Sequence, residues 1–299
     1  MPDRSKPPRI HDISQLTLPK PKRYELSNGI PVYGVNVGTQ EVLKLELVFF
    51  AGRPYEAKPL AARATAALLK EGTRHYNSAA IAERLDFYGS SLSFPFDLDT
   101  SNVVLYSLTK HVAEVIPLLA EILAAPVFPA AELANYQQRK RQRLRIDLQK
   151  NDVVAYRQIT ECIFGSHHPY GYNSYPATYE ALQRADLVDH YRRYYTSGNC
   201  RIILSGRYDE AVIERLDREL GAAIRRGPAA RAAVPIPENV PRRLTIDHPD
   251  TVQTAIRVGR RLFNRHHPDY HGLYVLNTML GGYFGSRLME NIRERKGFT

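Results

Sequence analysis

Leu43, Leu45, Leu47 and Phe49 stand at every second position, separated by Lys44, Glu46 and Val48. Successive strand side chains point to opposite faces, so this run fits a β-strand with one face buried. The same period returns over residues 91–97 and 102–109. Ahead of it, Tyr24–Leu26 and Ile30–Tyr33 flank Ser27-Asn28-Gly29, and an Asn-Gly pair between apolar runs predicts a hairpin. Helical readings fill the intervals. Residues 58–71 are rich in Ala and Leu and stop at Gly72. Ser78 reads as the N-cap of a helix carrying Ile81, Leu85 and Tyr88. Further helices are predicted at about 110–124, 129–150, 153–164, 187–196 and 209–224, with a buried strand over Arg201–Ser205.

That order breaks at 225–242, where Gly227, Pro228, Pro235, Pro237 and Pro241 interrupt any period and predict a linker. Beyond it, Leu244–Ile246 and Thr254–Val258 read as strands, and 268–280 and 284–296 as helices. The restart predicts a structural repeat. The expected organisation is an arm over 1–22 with five prolines, a first domain over 23–224, the linker over 225–242, and the opening of a second, related domain over 243–299.

Of the 299 residues, 43% are hydrophobic and 24% charged, enough apolar surface to exclude a chain disordered throughout. The most apolar run, Val112–Phe128, carries Glu114, Glu121 and two prolines, and is no membrane span. Two cysteines, Cys162 and Cys200, can form neither a disulfide framework nor a four-cysteine metal site. A reducing compartment follows as the expectation, hence the cytoplasm, with the periplasm the alternative if a leader is removed. The net charge of +10 is concentrated at Arg139, Lys140, Arg141, Arg143 and Arg145, and again at Arg287, Arg293, Arg295 and Lys296. No zinc-ligand pairs, aromatic RNA-binding signature or phosphate loop accompanies either cluster, so a nucleic-acid partner is disfavoured.

Several motifs follow one another in a specific order: Leu26-Ser-Asn-Gly-Ile-Pro-Val, Ala51-Gly-Arg-Pro-Tyr-Glu, Glu71-Gly-Thr, Phe164-Gly-Ser-His-His-Pro-Tyr-Gly and Tyr194-Tyr-Thr-Ser-Gly-Asn-Cys. Leu280-Gly-Gly-Tyr-Phe-Gly-Ser-Arg-Leu-Met-Glu-Asn-Ile-Arg-Glu-Arg-Lys-Gly closes the series. Together they resemble the pitrilysin/insulinase family of zinc metallopeptidases, which includes mitochondrial processing peptidase, over about residues 20–299. The resemblance implies an α+β fold: a mostly antiparallel sheet with helices packed on one face, repeated as two related domains, the second incomplete here.

Active members of that family carry His-x-x-Glu-His on the first helix, with two imidazoles for zinc and a glutamate as general base for the metal-bound water. Anchored on Gly72-Thr73, the motif falls on Arg63-Ala-Thr-Ala66-Ala67. Arg63 and Ala67 replace the histidines and Ala66 replaces the base, so none can bind zinc or take a proton. The distal glutamate ligand is expected near Arg143, yet no glutamate occurs from Leu133 to Thr160. This chain is therefore expected to hold no metal, and zinc is expected in a partner subunit.

The family's second element is an arginine, with a tyrosine seven residues later, that supports the substrate backbone and the developing oxyanion. Arg293 matches the arginine, and the tyrosine position falls immediately after Thr299. Gly281, Gly282, Ser286 and Arg287 are expected to contact substrate. Alone, Gly281–Gly285 reads as a tight turn between helices. The pairs His167-His168 and His266-His267 make no chelate, because adjacent side chains diverge.

The function implied by the resemblance is that of a zinc-less, non-catalytic subunit. It would pair with a zinc-bearing homologue as a heterodimer, bind an extended peptide by strand addition, and supply Arg293 to the partner's site. The alternatives are a purely structural core-protein-like subunit or a basic nucleic-acid-binding protein. The basic helix 138–145 reads either as a solvated face or as the positive lining of a substrate chamber.

Overall fold

The computed structural model describes residues 17–238, 240–248 and 251–298. The proline-rich arm falls mostly outside the described residues, as does Thr299. Six strands form one sheet: β1 (Lys22–Glu25), β2 (Pro31–Asn36), β3 (Val42–Phe49), β4 (Ser91–Ser93), β5 (Ser101–Leu108) and β6 (Cys200–Gly206). Their order is β1-β2-β6-β3-β5-β4, antiparallel at every step except the parallel β2–β6 pair. The fold is mixed α+β with a mostly antiparallel sheet, as the resemblance implies.

The alternating run sets the register of the centre. Leu45 lies between Leu105 on β5 and Leu204 on β6, and Leu47 between Val103 and Ile202. Leu43, Leu45, Leu47 and Phe49 are buried, while Lys44, Glu46 and Val48 on the opposite face are half-buried. The buried face is covered by α1 (Ala61–Leu68) and α3 (Val112–Ala124), both of which meet β5. Behind them, α7 (Arg184–Tyr194) packs on α1 and α8 (Glu210–Ala223) on α3. Helix α2 (Ser78–Phe87) is capped one residue earlier than expected, by the Asn77 side chain accepting from the Ala80 N–H at 2.9 Å. Helix α4 (Ala130–Asp147) packs on α1 and on the short α6 (Pro176–Glu180); α5 (Asn151–Phe164) follows it in the chain.

The C-terminal stretch departs from expectation. Helix α9 (Tyr270–Gly281) and a π-helical segment (Met289–Arg295) form, but the strands expected at Leu244–Ile246 and Thr254–Val258 do not. A strand exists only where a neighbour's backbone completes its ladder. This stretch runs beside a helix instead. The His248 ring lies 3.2 Å from the Leu148 carbonyl at the end of α4, and Asn151 of α5 donates to Thr251 at 3.0 Å. Ile256 and Val258, expected to pack, are exposed.

Candidate functional site

Helix α1 starts unusually. Its N-cap, Leu60, has a positive φ of 73° and supplies no capping side chain. The unpaired N–H groups of a helix's first turn need acceptors. Glu56 provides them, one carboxylate oxygen accepting from Ala62 N at 3.0 Å and the other from Leu60 N at 3.2 Å. The Tyr172 hydroxyl donates to the same carboxylate at 2.7 Å. Arg53 lies over the Tyr172 ring at 3.6 Å and donates to its carbonyl at 2.6 Å. Burial raises the Glu56 carboxyl above its ordinary range, partly offset by the Tyr172 hydrogen bond and Arg53. Gly52 brings this turn into place: the Arg53 N–H reaches Leu98 O at 2.7 Å, and a Cβ on Gly52 would stand 2.2 Å from that oxygen.

So fixed, α1 presents the residues at the zinc-motif positions. Ala66 is fully buried, Ala67 is half-buried and Arg63 is exposed. Thr65, between them, is buried and bonds the Ala61 carbonyl at 2.8 Å. The side chains at 63, 66 and 67 thus offer one guanidinium and two methyl groups, a set that fits no metal ion. Among the described residues no group of three or more His, Cys, Asp or Glu could hold one.

Arg143 lies on α4, which packs on α1, but its side chain runs along its own helix to Asp147, Nε to Oδ2 2.9 Å. The α4 residues that interact electrostatically with Arg63 are Tyr136 and Lys140. Lys140 is held below the usual lysine range first by partial burial, then by the charge of Arg63, and then by Arg139 and Arg143. Lys140 sits over the Tyr136 ring at 5.5 Å and Arg63 over the Phe96 ring at 5.6 Å. The Tyr136 hydroxyl is buried without a hydrogen-bond partner, and burial raises its pKa. Sequence reasoning placed the basic helix, Lys140 included, but did not single out Tyr136 or its pairing with Lys140. Their i, i+4 spacing was the available signal. Glu56 stood inside a quoted motif and Tyr172 immediately after another, and their joint role at α1 depends on a contact 116 residues apart in the chain.

The remaining expected residues lie elsewhere. Gly281 and Gly282 end α9, and a Cβ on Gly282 would stand 2.7 Å from the Thr278 Cα. Ser286 is fully buried with an unpartnered hydroxyl, and Arg287 is exposed. Arg293 is exposed on the π-helical segment, 5.9 Å over the Phe284 ring, and makes no ion pair among the described residues.

A mixed α+β fold that resembles the metallopeptidases, with no cluster of metal-ligating side chains among the described residues, thus defines the class. The chain is similar to the M16 peptidases, the pitrilysin/insulinase family: its residues 181–299 match the family model described as the peptidase M16 inactive domain. A Bacillus subtilis relative named uncharacterized zinc protease YmxG is 22% identical over 93% of this chain and 68% of its own length. The Helicobacter pylori protein named non-peptidase homolog YmxG is 26% identical over 80% of this chain, which spans about half, 55%, of that relative. Among solved structures, the peptidase M16 inactive domain from Pseudomonas fluorescens superposes with a TM-score of 0.78 at 25% identity, covering 92% of this chain and 68% of that one. A Helicobacter pylori protease shares the fold, with a TM-score of 0.80 at 16% identity over 94% of this chain and 70% of that one. Residues 181–299 thus match a domain of the inactive M16 type, which is consistent with a non-catalytic peptidase homologue. No helix among the described residues is long and apolar enough to cross a membrane.

Proposed function

We propose that this chain is the non-catalytic half of a peptidase pair. It forms one wall of a chamber, holds an extended peptide, and lends Arg293 to a zinc-bearing homologue, with a second unit beginning near residue 243. The observation that carries this reading is that α1 is firmly held, capped by Glu56 and backed by Tyr172, while carrying Arg63, Ala66 and Ala67 where the resemblance expects the zinc motif. A firm frame without metal ligands fits a role in shape and binding.

Two further features support it. β4 ends the sheet order, so its outer backbone edge is open to an added strand. Arg293 is exposed and makes no ion pair among the described residues, so its guanidinium is available to a substrate carbonyl or oxyanion. The test is reconstitution with an M16 homologue that carries His-x-x-Glu-His. Cleavage of an unfolded peptide is expected only on mixing, and Arg293→Ala is expected to lower kcat about 100-fold, by analogy with loss of one oxyanion donor. Turnover unchanged by Arg293→Ala would remove the catalytic-support role. Failure of the two chains to associate would leave a lone structural subunit.

A further inference from the structure

The charges on α4 are satisfied unevenly. Arg141 pairs with Glu180, Arg143 with Asp147 and Lys150 with Asp147. Arg63 and Lys140 differ, since neither makes an ion pair with any carboxylate among the described residues. They come from two helices, α1 and α4, that pack together, and, after partial burial, the charge of Arg63 contributes to holding Lys140 below the usual lysine range. Like charges gathered from separate elements cost free energy unless something of opposite sign joins them. Each cation rests instead on an aromatic face, Arg63 on Phe96 and Lys140 on Tyr136. An aromatic face orients a cation without neutralising it, which leaves both sets of N–H donors available. Phe96 follows β4 by three residues and bridges to Ser101, so Arg63 stands next to the open sheet edge.

We propose that Arg63 and Lys140 form a receptor for a side-chain carboxylate of an acidic peptide segment lying along the β4 edge. Lysine and arginine are donors only, and a carboxylate accepts from both at once. The site occupies the position at which an active relative would hold its metal, so the same wall of the chamber would select substrate by charge rather than cleave it. This inference rests on the reading that the chain handles extended peptide.

The test uses the full chain and two labelled ten-residue peptides, one rich in glutamate and its glutamine counterpart, followed by fluorescence anisotropy. The glutamate peptide is expected to bind about tenfold more tightly than the glutamine peptide, with the margin shrinking as salt rises. The double variant Arg63→Gln/Lys140→Gln is expected to abolish that margin and leave glutamine-peptide binding unchanged, which also shows that the variant is folded. Arg63→Lys is expected to retain most of the margin, and Arg143→Gln all of it. Equal binding of both peptides by the wild type would overturn the receptor and leave peptide handling standing. Binding of neither peptide would overturn both. Displacement of the glutamate peptide by inorganic phosphate at the peptide's own concentration would assign the pair to a free anion and overturn the peptide ligand.

Discussion

Helices α8 and α9 are both rich in apolar residues, and they differ in what they meet. Val212, Leu216 and Leu220 of α8 are buried against α3 and the core. In α9 no residue is buried, and Leu276 is 60% exposed. The contrast extends to the flanking segments: the first 224 residues enclose one continuous core, whereas Val252, Ile256, Val258, Phe284 and Phe298 face outward. Apolar content therefore sets what a segment can bury, and the presence of a complementary surface decides whether it does.

The contrast can be broken by substitution. Phe49, fully buried with its ring 4.7 Å from that of Tyr195, is the sharpest probe of the covered region. Phe49→Ala is expected to cost about 3–5 kcal/mol in urea denaturation. Leu276→Ala is expected to cost less than about 0.5 kcal/mol, since it removes little buried area. An equal cost at the two positions would erase the difference between the regions.

The covered region should also be the acid-sensitive one. Burial depresses the His190 pKa from 6.5 to about 4, with its Nε2 3.0 Å from the Ala51 carbonyl. Between those values the unfolded chain binds more protons, so stability is fully present above pH 6.5 and is lost as pH falls towards 4. The full window is worth on the order of 3 kcal/mol. Denaturation midpoints at pH 7 and pH 4.5 should show this loss, and His190→Gln should reduce it. An unchanged slope in His190→Gln would place the acid sensitivity in other groups.

Glu56→Ala tests the start of α1. It strands the Ala62 N–H and the hydroxyl proton of Tyr172, while the Leu60 N–H keeps the Tyr172 hydroxyl oxygen at 3.2 Å, for an expected cost of about 2 kcal/mol. Glu56→Gln keeps an acceptor and should cost less; the reverse order would show that the charge, and not the capping geometry, is what α1 requires. A small effect is also expected at Arg143→Ala. Arg143 is exposed and bonds only within its own helix, so stability should change by less than about 1 kcal/mol. A larger loss would show that Arg143 supports the α1–α4 contact.

Most of the central sheet was legible because its signal is local. The period of two at Leu43–Phe49 fixes which face is buried, and every predicted strand of the first 224 residues is present in the sheet. Residue type alone likewise excludes Arg63, Ala66 and Ala67 as metal ligands, wherever the fold places them. The same local period misled at Leu244–Ile246 and Thr254–Val258, because a ladder depends on a neighbour that pattern cannot supply.

By itself, then, the sequence determined the strand faces and the sites of most helices, each a property of side chains and their spacing. Only the tertiary structure decided the parallel β2–β6 pairing, the capping of α1 by Glu56 and Tyr172, and the meeting of Arg63 with Lys140. Those features join residues far apart in the chain. They arise when packing of the apolar face places distant backbone and charge side by side, a consequence of three-dimensional proximity that no local period encodes.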